Sequence, residues 1–218
     1  MSKFIQIILS LIIVINISII STFDYKPSDT AIIVECETTA YGSTFEVVVE
    51  PSWSKHGSKR FLDLVDNGYF TNIPIYRVVY NYIVGFGTNP NTKEWEKKYR
   101  PIIDESRRPE HNDYFRGFIG LQGVLNNVNT RNLDFYIAMT DNYELGTLKV
   151  WDVPFGFISK TSLDKVVGRF NGQYGDNYPN FDRGLEVAKI RNEGEEYLKK
   201  FPRIDRILSC RRKQKEEL

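Results

Sequence analysis

Apolar and polar positions alternate in two neighbouring stretches near the start of the chain. In AIIVECETTAYGSTFEVVVE, Ile32, Val34 and Cys36 alternate with Ile33, Glu35 and Glu37. After Tyr41-Gly42-Ser43 the alternation resumes at Phe45, Val47 and Val49. A period of two on either side of a turn predicts an antiparallel β-hairpin. The period then changes. Phe61, Leu62, Leu64 and Val65 recur at helical spacing, Asp63, Asp66 and Asn67 take the other face, and Gly68 follows as a stop, which predicts a short helix laid on a core. Beyond it Ile75, Tyr76, Val78, Val79, Tyr80, Tyr82, Ile83 and Val84 are β-branched or aromatic, bounded by Pro74 and by Gly85 and Gly87, the chemistry of two strands. Arg77 stands inside this apolar run. A guanidinium there either snorkels to water along its own stem or is held at a site for something electron-rich.

The polar stretch TNPNTKEWEKKYRPIIDESRRPEHNDY predicts a long loop with Trp95 as its anchor. Strands are predicted at Gly117 to Leu121, at LDFYIAM and at WDVPFGFIS, with the Asn-rich LQGVLNNVNTRN as a connection. Leu163, Val166, Val167 and Phe170 return to helical spacing. After a Gly/Asn/Pro loop, Gly184 to Ile190 is expected to extend the sheet, Glu193 to Lys200 to form a short helix, and FPRIDRILSC to close the domain. Short strands, two helices and regular turns predict a closed or nearly closed β-barrel capped by helices, with a two-sheet sandwich as the competing arrangement.

Residues 1–23, MSKFIQIILSLIIVINISIISTF, differ in kind: one Lys precedes an apolar run, and the polar DYKPSD follows. This is the layout of a signal peptide or of an N-terminal signal anchor, an apolar helix near the short end of the roughly 17 to 25 residues that span a bilayer. It predicts a linker over residues 24–30, a folded domain over 31–208 facing the lumen or exterior of the secretory pathway, and a charged tail over 209–218. The only membrane contact expected is through that first segment. Cys36 and Cys210 either bridge in such an oxidising compartment or remain two buried thiols. His56 and His111 show no ligand spacing with them, so no metal is expected. Across 218 residues the formal net charge is +1, which argues against a nucleic-acid surface as the main business.

The ordered set of motifs resembles one family. The run F-x-x-L-V-x-x-G-Y-F-x-x-x-P-x-Y-R-V-V, continued through YNYIVGFG, resembles the cyclophilin-type peptidyl-prolyl isomerases, in which a helix is followed by a strand carrying the catalytic arginine. NTRNLDFYIA resembles the family's Asn-Thr-x-x-x-Gln-Phe-Phe-Ile segment and VPFGFIS its Phe-Gly-x-Val strand. YGDNYP, GEEYLKKFPRID and ETTAYGSTFEVVVEPSW resemble a divergent subgroup with a C-terminal extension. The resemblance implies an eight-stranded antiparallel barrel closed by two helices, catalysis of rotation about X-Pro bonds without a cofactor, and a proline-containing peptide or protein as partner of a monomeric chain.

Position by position, it makes Arg77 the catalytic arginine and Tyr82 and Tyr136 the aromatic pocket for the proline ring, while Phe135 points into the barrel. Other positions depart from the pattern. Gly85 stands where the family has a glutamine that steadies the arginine, and Asp134 where a second glutamine contacts the peptide. Asp152 falls where a pocket histidine is expected, and Thr147 or Leu148 where a tryptophan or its substitute stands. Val124 to Val128, with Asn126 at its centre, replaces the segment that pairs with the substrate backbone. An ionised Asp134 close to Arg77 would neutralise the donor. Two readings follow: a slow isomerase of the secretory pathway, supported by Arg77, Tyr82 and Tyr136, and a binding domain without turnover, supported by Gly85 and Asp134.

Overall fold

A computed structural model of the protein describes residues 25–106, 114–141, 153–176 and 184–214. The first hairpin forms as the alternation predicts: β1 (Ile32–Thr38) and β2 (Thr44–Val49) pair antiparallel, joined through a 3-10 turn at Ala40–Gly42. Helix α1 (Lys55–Asp66) follows, its first turn capped by the Ser54 hydroxyl, which accepts from the Gly57 amide. Next come β3 (Ile73–Pro74), β4 (Arg77–Val79) and β5 (Ile83–Phe86), then α2 (Thr92–Lys98). Strands β6 (Phe118–Leu121), β7 (Phe135–Ala138) and β8 (Pro154–Ile158) lead to α3 (Lys160–Lys165) and a 3-10 turn over Val167–Arg169. Helices α4 (Val187–Glu193) and α5 (Glu195–Leu198) precede the closing strand β9 (Arg206–Arg212).

Among the described residues these nine strands form one antiparallel sheet in the order β3-β9-β1-β2-β8-β6-β7-β5-β4. Its two edge strands, β3 and β4, are separated in the chain by Ile75 and Tyr76 alone, so the sheet curls until its edges are neighbours. The mainly β barrel is therefore observed. It has one strand more than the eight expected, the addition being the two-residue β3 on β9.

Side chains alternate across this wall with the strand period. Val84 and Phe86 of β5, Ile119 and Leu121 of β6, and Phe135 and Ile137 of β7 enter the interior, where Phe61 of α1 packs on Phe70, Phe135 and Phe155. Leu163 of α3 and the following Val166, Val167 and Phe170 join the same core, so both helices close it. On the outer face, Val48, Ile83, Phe118, Tyr136, Ala138 and Phe157 make a second cluster, on which Trp53 and Tyr25 pack.

Two expectations change, and one open alternative closes. The polar stretch around Trp95 holds helix α2 rather than being loop throughout, because Trp95 packs edge-on to Tyr69 and stacks with Tyr99. Gly184 to Ile190 does not extend the sheet. It contains the start of α4, whose Ile190 buries with Tyr76, Leu185, Tyr197 and Leu198 in a third cluster. The two cysteines are bonded to each other, since Cys36 of β1 and Cys210 of β9 face one another in register. Residues 1–23 lie outside the described residues, and among those described no helix is long and apolar enough to cross a membrane.

Candidate active site

The outer face carries a row of four residues across four strands. Arg77 of β4 faces Gly85 of β5, Gly85 faces Tyr136 of β7, and Tyr136 faces Gly120 of β6. Arg77 is on this side because Val78, its neighbour, enters the core. The two glycines make room for the two large members of the row. A Cβ at Gly120 would lie 2.8 Å from the Tyr136 hydroxyl, and one at Gly85 would lie 3.1 Å from Arg77 Cβ. Tyr136 therefore lies across β6, and the stem of Arg77 lies over the bare backbone of β5.

The Arg77 guanidinium carbon is 5.6 Å from the centroid of the Tyr82 ring, a cation–π placement. Its Nη2 donates to Asp176 Oδ2 at 2.6 Å, with both side chains about one-fifth exposed. Its Nε is buried and has no acceptor among the described residues. A buried donor left over in this way is costly in a folded chain and calls for an acceptor. The structure thus brings Arg77, Gly85, Tyr82 and Tyr136 together. Tyr136 is buried, and its hydroxyl donates to that of Tyr114 at 2.7 Å.

Asp134 does not neutralise Arg77. Its Oδ2 accepts from Arg191 Nη2 at 3.0 Å, and its Oδ1 accepts from the Thr88 hydroxyl at 2.6 Å and from the Tyr76 hydroxyl at 3.3 Å. Arg191, on α4, also pairs with Glu96 of α2 at 3.0 Å. Asp134 is consequently the docking point of the C-terminal helices, and the carboxylate at Arg77 is Asp176. Asn126 lies at a turn with φ of 63° in an exposed loop, and no hydrogen bond or ion pair joins it to the row among the described residues. Thr147, Leu148, Trp151 and Asp152 lie outside the described residues.

Sequence reasoning missed Asp176, Arg191 and Tyr114. Asp176 and Arg191 act across separations of 99 and 57 residues, and no local pattern signals such pairs.

Tyr76 has its pKa pushed well above the ordinary tyrosine value, first by burial, then by the Asp134 charge and the hydrogen bond to it. Tyr69 is raised too, again by burial first and by Asp134 second. A raised folded-state pKa contributes stability that is fully present below the unfolded value of about 10 and is lost as pH rises beyond it. Urea midpoints measured between about pH 9 and about pH 11 should fall more steeply in wild type than in Tyr76→Phe. Parallel slopes would contradict this placement of Tyr76.

Residues 33–163 match the model of the family described as cyclophilin type peptidyl-prolyl cis-trans isomerase/CLD. No curated protein matches the sequence. Among solved structures, the cyclophilin type peptidyl-prolyl cis-trans isomerase of Cryptosporidium parvum superposes with a TM-score of 0.58 at 17% identity, covering 84% of this chain and 98% of that one. The same enzyme crystallised in the presence of the dipeptide Ala-Pro gives 0.57 at 17% identity, covering 84% and 99%. A cyclophilin from Hirschia baltica gives 0.56 at 13% identity, covering 82% and 73%. At these identities the superpositions speak to the fold.

Proposed function

The chain belongs to the cyclophilin-type peptidyl-prolyl cis-trans isomerase family, its match spanning more than half of the sequence, and on that premise we propose that it turns over X-Pro bonds slowly, on proteins of the secretory pathway. The observation that carries the proposal is Arg77: a guanidinium on the outer face of the barrel, set over Tyr82, whose buried Nε has no acceptor among the described residues.

The reaction needs no nucleophile. A planar amide resists rotation by about 18–20 kcal/mol because twisting breaks its resonance. In the twisted state the prolyl nitrogen regains a lone pair, so a fixed donor at that nitrogen binds it more strongly than either planar form. Each tenfold of rate asks for about 1.4 kcal/mol of that difference. Arg77 Nε is the donor, and the Tyr82 ring beside it offers an apolar edge to the proline. Reduced activity is supported by two features: Asp134 is engaged by Arg191, and Gly85 carries no side-chain amide to contact the substrate. The secretory assignment is supported by the Cys36–Cys210 disulfide, which persists in oxidising compartments, together with the apolar character of residues 1–23.

The Arg77–Asp176 ion pair also favours a second reading, a domain that binds Pro-containing or extended peptides without turning them over. A protease-coupled assay on a short X-Pro peptide, run beside a binding titration with the same peptide, separates the two. Wild type should exceed the uncatalysed rate in proportion to protein concentration. Saturable binding with no acceleration would establish the second reading and remove the first.

A further inference from the structure

We propose that Asp176 is a positioning residue for Arg77, holding the guanidinium from above because β5 offers no side chain to hold it from below; this rests on the isomerase reading. The residue facing Arg77 across the ladder is Gly85, and the arginine stem crosses it with Cβ and Cδ only 3.1 and 3.6 Å from where a Cβ would stand. The Tyr82 ring supplies a face but no fixed direction, since cation–π attraction tolerates rotation of the guanidinium in its plane. Asp176 supplies direction. Its hydrogen bond selects Nη2 and so fixes where Nε points.

Asp176 is itself delivered by a braced segment. The Asn171 amide donates to Asp205 at 2.7 Å, and the Asn171 side chain donates to the Arg203 carbonyl at 2.9 Å. The Gly172 amide donates to the Tyr80 hydroxyl at 3.1 Å. The Tyr174 hydroxyl accepts from the Arg203 amide at 3.1 Å, and its ring meets Phe201 edge-on at 5.1 Å. The carboxylate is thus tied both to the approach to β9 and, through Tyr80, to the end of the strand that carries Arg77. A long, rotamer-rich side chain held this way loses its freedom on folding and not at each turnover. The same carboxylate withdraws positive charge from the donor, so position and charge have to be separated experimentally.

Asp176→Asn keeps an oxygen acceptor without the charge, and Asp176→Ala removes both. The rates of both variants on an X-Pro peptide are to be measured beside the proton–nitrogen NMR signal of Arg77 Nε, assigned by its loss in Arg77→Lys. If Asp176 positions Arg77, the alanine variant loses roughly tenfold or more in kcat and the asparagine variant restores most of it. The Nε signal then stays sharp in wild type and in the asparagine variant and broadens in the alanine variant. An alanine variant as active as wild type or more so, or an asparagine variant as slow as alanine, would overturn the proposal. If wild type shows no turnover, the isomerase reading falls and the Nε signal alone decides: broadening in alanine supports positioning, and an unchanged signal overturns it.

Discussion

Replacing Cys36 and Cys210 together by alanine should lower the unfolding free energy by about 2–5 kcal/mol, the range for losing a native disulfide. The bond closes a loop of sequence separation 174, for which loop-closure entropy alone gives about 5 kcal/mol in the chain-entropy model. It also joins β1 to β9, the strand through which the C-terminal segment re-enters the sheet. Denaturant melts of the oxidised protein and the double variant, at matched pH, measure the difference. A loss below about 0.5 kcal/mol, the ordinary scale of a surface change, would contradict the account.

The second large effect lies at Arg131. This side chain is wholly buried, with Nε on Asp104 Oδ1 at 3.0 Å, Nη2 on the Ile103 carbonyl at 3.0 Å and Glu105 more distant at 3.9 Å. A buried guanidinium is tolerable only while its charge is matched. Asp104→Ala removes the nearest match and also the carboxylate that accepts from the Asn129 amide at 2.6 Å. The expected cost is about 3–5 kcal/mol, read as about 2–4 °C of melting temperature for each kcal/mol. A double variant in which Leu replaces Asp104 and Met replaces Arg131 should recover a large part of it, because burying apolar groups of similar volume avoids the desolvation of both ions. If Asp104→Ala melts with wild type, the guanidinium is solvated rather than buried.

The strands Ile32 to Cys36 and Phe45 to Val49 were legible from a period of two, and the fully buried β6, β7 and β8 from short apolar runs bounded by turn residues. Helix α1 was legible because four apolar residues mark its buried side. Helix α2 was not: within Thr92–Lys98 only Trp95 is apolar, and a single residue has no period. Helix α4 was misread because Leu185, Val187 and Ile190 suit a strand as well as a helix. Their burial against Tyr76 and Tyr197 decides the matter, and that is tertiary information. The pairing of the cysteines depended on β9 lying beside β1, which no spacing reveals.

At the site, the apolar run around Arg77 placed it on a strand and left its face open, and the positions Tyr82, Gly85 and Tyr136 were singled out by the resemblance. The row that joins them is a property of strand register. The electrostatics were legible only in part. Asp134 was expected as the charge close to Arg77, but its counterion is Arg191, carried in by α4, and the carboxylate at Arg77 arrives from beyond the 3-10 turn that follows α3. Arg131 was passed over as one more polar residue in an Asn-rich connection, although it is wholly buried and heads the large buried side chains among the described residues.

On the proposed function, Arg77 drives rotation about the X-Pro bond. Exchange spectroscopy on a short X-Pro peptide, with wild type and Arg77→Ala at equal concentration, tests it most directly. Wild type should raise the cis–trans exchange rate above that of the free peptide, and the alanine variant should lose roughly 100-fold or more of that acceleration, the scale for removing one preorganised donor, while melting like wild type. Equal acceleration by the two proteins would contradict the claim.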